Sequence, residues 1–298
     1  MFDKILVTGG SGLVGSCVKG KKPSFSEVDL MREDDISEYI IDHKLDYVIN
    51  CAAKVGGVKE NKNKPGEFFR DNMQMTLNLF EACRKTGVKK ILNVLSTCVF
   101  PDVASYPLTP DQLHKGEPHS TNFAYAYAKR MIEVMSRAYR QQYNLNAVSV
   151  IPCNVYGPRD NFNLESSHVL PALIHKCYLA KINNTDLHVW GTGKPTREFI
   201  YSEDLGSILN WTLENYDNTD PLIVSSDQEI SISALVDKIT TAMEFSGNII
   251  YNNELDGQLK KPSDNSEFNK RKMKLTSIDE GIEKTVNWFV SNYKECRK

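Results

Sequence analysis

Along the first half of the chain, short runs of β-branched and apolar residues alternate with longer stretches in which apolar positions recur every three or four residues. The runs at 4–8, 47–51, 91–95 and 147–151 predict strands. Between them, 72–85 carries Met73, Leu77, Phe80 and Ala82 toward one face, and 125–143 carries Ile132, Met135 and Tyr139 at helical spacing. Strand and helix in alternation predict an α/β fold, a doubly wound parallel sheet of the Rossmann type covered by helices. After Pro152 the pattern loosens into turn-rich pieces at 156–163 and 190–196, a helix at 233–243, a strand at 248–251 and an amphipathic helix at 277–293. The expected division is a dinucleotide-binding domain over 1–155 and a smaller α/β substrate domain over 156–298, with the segment around 197–215 returning to the first.

The first strand, Ile5-Leu6-Val7-Thr8, runs into Gly9-Gly10-Ser11-Gly12-Leu13-Val14-Gly15. A glycine cluster between a strand and a helix lets the backbone turn tightly and lets a pyrophosphate approach the free amides of the helix N-terminus. This makes Gly9 to Gly15 candidate cofactor-binding residues, with a glycine-rich structural turn as the alternative. The stretch from Gly15 to Ser26 is short, so the helix there is expected to have only about two turns, with the second strand near 24–27. Ser26 and Glu27 then compete for the position that reads the cofactor 2′ group, with Lys21, Lys22 and Arg32 nearby and Asp29 a further cofactor candidate.

Ser96 follows the third strand, at the sheet edge where such folds bind ligands, and Tyr125 and Lys129 stand four residues apart on one helix face. An ammonium beside a phenol favours phenolate, so Lys129 is expected to lower the Tyr125 pKa and ready it for proton exchange with a carbonyl. Tyr127, out of that register, reads as a packed aromatic. With the glycine turn before it, the Ser, Tyr and Lys set resembles the extended short-chain dehydrogenase/reductase superfamily.

Composition limits the alternatives. The 298 residues are 41% hydrophobic and 25% charged, with 36 basic and 38 acidic side chains and a formal charge of −2, which does not suit a nucleic-acid-binding surface. Seven scattered cysteines without metal-ligand spacing fit reduced thiols, and predict neither a disulfide framework nor a metal site. No signal-peptide pattern and no apolar run near the ~20 residues of a membrane span occur, so a cytoplasmic protein with no membrane partner is expected.

Longer motifs sharpen the resemblance. Leu95-Ser96-Thr97-Cys98-Val99-Phe100-Pro101, Tyr125-Ala126-Tyr127-Ala128-Lys129-Arg130, Val155-Tyr156-Gly157-Pro158-Arg159-Asp160 and Arg197-Glu198-Phe199-Ile200-Tyr201 are similar to the GDP-L-fucose synthase family, and the similarity continues to Trp288-Phe289. The resemblance implies 3,5-epimerisation of GDP-4-keto-6-deoxy-D-mannose followed by NADPH-dependent reduction at C4. It assigns catalysis to Ser96, Cys98, Tyr125, Lys129 and His168. Cofactor contacts fall to the glycine turn, Asp29, Lys129, His168 and Pro152-Cys153-Asn154-Val155, where the family commonly has threonine in place of Cys153. Substrate contacts fall to Lys176, Trp190, Arg197 and Asp256, and a homodimer paired through helices is implied. A relative acting on a UDP-, dTDP- or GDP-colitose-type 4-keto sugar stands as the alternative, because Cys98 and His168 do not read the nucleotide base.

Overall fold

The computed structural model describes residues 1–252 and 259–298. Ten strands and nine α-helices are present among them. The first half contributes β1 (Ile5–Thr8), α1 (Glu33–Asp42), β2 (Tyr47–Asn50), α2 (Val58–Asn63), α3 (Pro65–Thr86), β3 (Lys90–Val94), α4 (Phe123–Tyr143) and β4 (Asn146–Pro152). The second contributes β5 (Asn154–Tyr156), α5 (Val169–Asn183), β6 (Leu187–Val189), β7 (Thr196–Tyr201), α6 (Ser202–Asn215), β8 (Leu222–Val224), β9 (Glu229–Ser231), α7 (Ile232–Ala242), β10 (Ile249–Tyr251), α8 (Ser266–Asn269) and α9 (Ile278–Ser291).

Five parallel strands form the main sheet in the order β1-β2-β3-β4-β8, with Ile5 opposite Tyr47, Tyr47 opposite Lys90 and Lys90 opposite Asn146. These strands are buried on both faces. Leu6, Val48 and Ile91 point into a core capped by Ile36 and Ile40 of α1, Leu79 and Phe80 of α3, and Ile132 of α4. Ile5, Val7, Leu92 and Val148 point the other way, onto Leu205, Ile208 and Leu209 of α6. Thus α6 and β8, from beyond residue 156, pack with the first-half sheet. A second core joins α5, α7 and α9 to β6 and β7, with the Phe162 and Phe289 ring centroids 4.5 Å apart. Here β5 pairs parallel with β7, β7 antiparallel with β9, and β6 parallel with β10.

Two local expectations do not hold. Between the glycine turn and Lys21 there is only a three-residue 3₁₀ turn, Gly15–Cys17, and no strand forms at 24–27. The chain instead makes a single parallel bridge, Leu6 with Lys21, closed by Val7 N–H to Lys21 O and Lys21 N–H to Ile5 O, both 2.8 Å. Six residues cannot hold both a two-turn helix and the return across the sheet, so the return wins. The chain nevertheless leaves β1 to one side at Lys21 and comes back on the other at β2, which puts a topological switch point at the carboxyl end of β1. On α3, Phe80 and Ala82 are buried as read, but Leu77 is 45% exposed. The helix starts earlier than the pattern suggested, with Pro65 in its first turn, and its buried face runs through Phe68, Asn72, Thr76, Leu79 and Cys83.

Candidate active site

The carboxyl ends of the first three strands are tied by buried polar side chains. Thr8 Oγ1 donates to Asn50 Oδ1 at 2.8 Å and Asn50 Nδ2 donates to Asn93 Oδ1 at 3.2 Å, fixing the floor beneath the glycine turn. Gly9 lies at φ +66°, and a Cβ there would come within 2.9 Å of the Ala52 backbone. A Cβ on Gly15 would lie 2.3 Å from the Gly9 carbonyl oxygen. The turn therefore admits no side chain at these positions, whereas the nearest atom to a Cβ on Gly12 is 3.4 Å away.

Three cavities line up along this edge. The largest, about 640 Å³, runs from Gly9, Gly10, Ser11 and Gly12 past Ser24, Phe25 and Asp29. The second, about 280 Å³, is walled by Leu13, Val14, Gly15, Tyr125, Lys129, and Pro152, Cys153, Asn154 and Val155. The third, also about 280 Å³, holds Cys98, Asn122, Arg197 and Lys261. Gly9, Gly12, Cys51, Ala53 and Arg297 line both the first and the second. Ser96, Thr97, Cys153, Asn154 and His168 line both the second and the third. Ser26 and Glu27, the two residues read as competing for the 2′ position, do not line the groove. The Glu27 carboxylate instead accepts from the Ser24 amide and hydroxyl, both at 2.7 Å. Asp29 does line the groove, with Oδ1 accepting from Met31 N–H at 2.9 Å.

Ser96 sits just past β3, and its Oγ accepts from the Cys98 N–H at 3.4 Å, capping the 3₁₀ turn Thr97–Val99. Lys129 Nζ donates to Val94 O at 2.9 Å. Burial brings the Lys129 ammonium down to about 8, with Cys98 and Cys51 opposing the shift. Burial also pushes the Tyr125 phenol well above its ordinary value, with Cys98 adding to the shift. The lowering of Tyr125 by Lys129 read from their spacing is therefore not what this site holds. The thiol of Cys98 is pushed up by burial against the opposing influence of Ser96, Lys261 and Lys129. His168 precedes α5 but does not cap it with its side chain. Its ring is open to water in the cleft yet flanked by enough protein that desolvation lowers its pKa. Both members of the pair are thus held toward their uncharged forms.

Arg197 lines the third cavity, its Nη1 donating to Thr196 O at 2.7 Å, and burial lowers its pKa. Lys176 and Trp190 line none of the three. The Lys176 ammonium lies 4.7 Å from the Trp190 ring centroid, and the indole is 74% exposed. Asp256 lies outside the described residues.

The NAD dependent epimerase/dehydratase family profile matches residues 17–225. A GDP-L-fucose synthase of Dictyostelium discoideum is 43% identical over 311 residues, covering 99% of this chain and 97% of the relative. The chain belongs to the GDP-L-fucose synthase family. A solved GDP-L-fucose synthetase of Naegleria fowleri bound to NADP superposes with a TM-score of 0.93 at 41% identity, covering 99% of this chain and 94% of that one. A GDP-L-colitose synthase of Yersinia pseudotuberculosis is 34% identical, covering 97% and 98%.

In this member of the GDP-L-fucose synthase family, several residues in the cleft or bonded to its walls carried no sequence signal of their own. Arg130 follows Lys129 in the chain and is buried. Its Nε donates to Val99 O and its Nη1 to Gly116 O, both at 2.8 Å, latching the turn that carries Cys98 onto α4. Lys261 stands in a segment that the family resemblance covers, but only the structure brings it beside Cys98 and Arg197. His119 and Asp102 line the third cavity and Asp160 the second. Tyr127 faces away from the cleft, its ring stacked under the Arg130 guanidinium at 5.1 Å.

Proposed function

We propose that this protein is a bifunctional epimerase/reductase that converts GDP-4-keto-6-deoxy-D-mannose to GDP-L-fucose with NADPH. The observation that carries the reading is the shared wall of the second and third cavities, where Ser96 and His168 face both spaces. Tyr125 and Lys129 open on one side of that wall and Cys98 on the other. The dinucleotide fits the first two cavities, because they run together past the glycine turn and share Gly9 and Gly12 as lining. Gly9 to Gly15, Asp29 and the 152–155 segment would hold it, with Lys129 at its ribose. When bound, NADPH would supply a hydride, a proton with two electrons, to the sugar C4 carbon.

The remaining steps belong to the chain. Protons α to the C4 ketone, at C3 and C5, are acidic enough for a side chain to remove if the developing enolate oxygen is stabilised. Ser96 and Tyr125 donate hydrogen bonds to that oxygen. Cys98 and His168 remove and return the α protons. Held uncharged by desolvation, the thiol presents an acid and the imidazole a base. In the reduction, the neutral Tyr125 phenol gives its proton to the C4 oxygen. Arg197 and Lys261 would meet the substrate diphosphate, with Lys176 and Trp190 placed for a more outlying part of the nucleotide.

The same chemistry could serve a colitose-type GDP-sugar, a reading favoured by the 34% identical colitose synthase. Incubation with NADPH and GDP-4-keto-6-deoxymannose, with product stereochemistry read by NMR, tests the proposal. Turnover of the 3-deoxy or of the UDP- and dTDP-linked ketosugars in its place would replace it.

A homodimer is part of the proposal. Phe69 and Leu77 of α3 and Phe123 of α4 are more than two-fifths exposed, and a hollow of about 530 Å³ lined by Phe69, Phe123, Tyr127 and Met131 lies between the helices. Light scattering that returned a monomer would remove it. No helix among the described residues is long and apolar enough to cross a membrane, and all seven cysteines are free, which supports a reducing, cytoplasmic setting.

A further inference from the structure

The first two cavities meet at five residues, Gly9, Gly12, Cys51, Ala53 and Arg297. Four of these offer backbone or a small side chain. Arg297 is the one charged side chain among them. It comes from the segment after α9, more than 280 positions from the glycine turn in the sequence, and lines both cavities with that turn.

Its backbone is held in place from the second lobe. The Phe162 amide donates to the Arg297 carbonyl at 2.8 Å, and the fully buried Phe162 ring packs on Phe289 of α9. Cys296 N–H donates to Asn292 O at 2.8 Å, continuing the end of α9 up to the arginine. The side chain itself remains exposed, and no hydrogen bond ties its guanidinium to the rest of the described chain.

A dinucleotide that spans the large groove and the smaller chamber must pass its diphosphate through their junction. Gly9 and Gly12 present backbone to that passage. A guanidinium at the same junction is the group that matches phosphate oxygens, with planar paired donors and a permanent charge. We infer that Arg297 clamps the diphosphate of the bound dinucleotide at the glycine turn, so that the cofactor joins the second lobe to the first. The inference rests on the cofactor reading above and adds a residue to it.

Calorimetric titration of NADPH into wild type, Arg297→Ala and Arg297→Lys tests the clamp. Adenosine 2′-monophosphate, which lacks the diphosphate, is titrated beside it as the control ligand. Arg297→Ala should weaken NADPH binding about tenfold, the scale of one lost charge-assisted contact. Arg297→Lys should recover part of the loss, and adenosine 2′-monophosphate should bind all three proteins alike. The salt dependence of the NADPH Kd should also flatten in Arg297→Ala. Unchanged NADPH affinity in Arg297→Ala would overturn the clamp. So would a loss shared equally by the control ligand, which would place Arg297 at the adenosine end. A wild-type protein that bound no NADPH at all would overturn the cofactor reading itself, and the clamp with it.

Discussion

Lys129 is fastened to the main sheet by its 2.9 Å hydrogen bond to the Val94 carbonyl, and this contact sets the position of Tyr125 one helical turn earlier. The lysine spends one of its donors on the strand end and lies buried, while the half-buried phenol is held protonated by desolvation. A neutral phenol is the form that can give a proton to a ketone oxygen. Tyr125→Phe should therefore lower reduction by about two to four orders of magnitude, the usual range for a lost general acid, with NADPH still bound. Stopped-flow absorbance of NADPH oxidation checks this, and near-normal turnover in the variant would take Tyr125 out of the reaction.

The glycine turn allows folding and binding to be separated. A methyl on Gly15 collides with the Gly9 backbone, which cannot swing aside as a side chain could. Gly15→Ala should cost about 1–3 kcal/mol of stability and abolish NADPH binding. A methyl on Gly12 reaches nothing closer than 3.4 Å, so Gly12→Ala should keep its Tm while binding NADPH more weakly, since the methyl fills space on the cleft side. Thermal denaturation and titration on the two variants, read together, check the pattern. Equal Tm losses would contradict it.

The alternation of short β runs and helical stretches was enough to place β1 to β4, because each is buried on both faces and so reads as a mainly apolar, β-branched run. The Ser, Tyr and Lys set was legible for a related reason, since a strand end and a fixed i,i+4 spacing are local facts. The segment from 15 to 27 misled, because a glycine fingerprint normally announces a helix and a second strand. Here the chain is too short for both, and a lone bridge at Lys21 replaces them. The Tyr125 pKa also misled, because spacing conveys the nearness of an ammonium but not the loss of solvent around the phenol. Lys261 and Arg297 reach the cleft, and Arg130 latches the turn that carries Cys98, from places whose sequence says nothing of the contact. Only tertiary packing brings residue 297 to residue 9.

Cofactor choice turns on what faces the large groove. Glu27, whose charge would repel a 2′-phosphate, is turned into its own loop by Ser24, while Arg70 and Lys54 line the groove beside Asp71. NADPH should be preferred over NADH by kcat/KM, and Glu27→Gln should leave the ratio as it is. A clear NADH preference, or a ratio that moved with Glu27, would show that the carboxylate faces the cofactor after all.

Asp160 gives stability a pH dependence of definite sign. The residue is 4% exposed, Oδ1 accepts from the Asn161 amide at 2.7 Å, and Oδ2 has no partner among the described residues. Burial pushes its pKa up to about 7, against the pull of the Asn161 amide and Arg297. In the unfolded chain the same group titrates near ~4. Between these values the native state binds the extra proton, so stability falls as pH rises through the window. Urea midpoints measured from pH 5 to 8 should decline in the wild type, and Asp160→Asn should flatten the decline and be the more stable protein at pH 8. Identical profiles for the two would remove Asp160 as the cause.

Epimerisation and reduction should be separable through Cys98 and His168. Two α-carbons must lose a proton and regain it on the opposite face, and Tyr125 is committed to the C4 oxygen. Desolvation raises the Cys98 thiol and lowers the His168 imidazole, so the resting pair is uncharged. Cys98 stands on the 3₁₀ turn that Ser96 caps and Arg130 latches, and His168 enters from the start of α5, so the two reach the third cavity from different elements. Cys98→Ser should retain part of the hydrogen transfer to C4 but release sugar with unepimerised centres. His168→Asn should slow proton return by more than it weakens NADPH binding. Solvent deuterium entering C3 and C5, followed by NMR without NADPH so that reduction cannot intervene, reads the proton steps alone. Exchange at the wild-type rate in both variants would move the acid and base elsewhere, and His119 beside Asp102 in the same cavity would be the next pair to test.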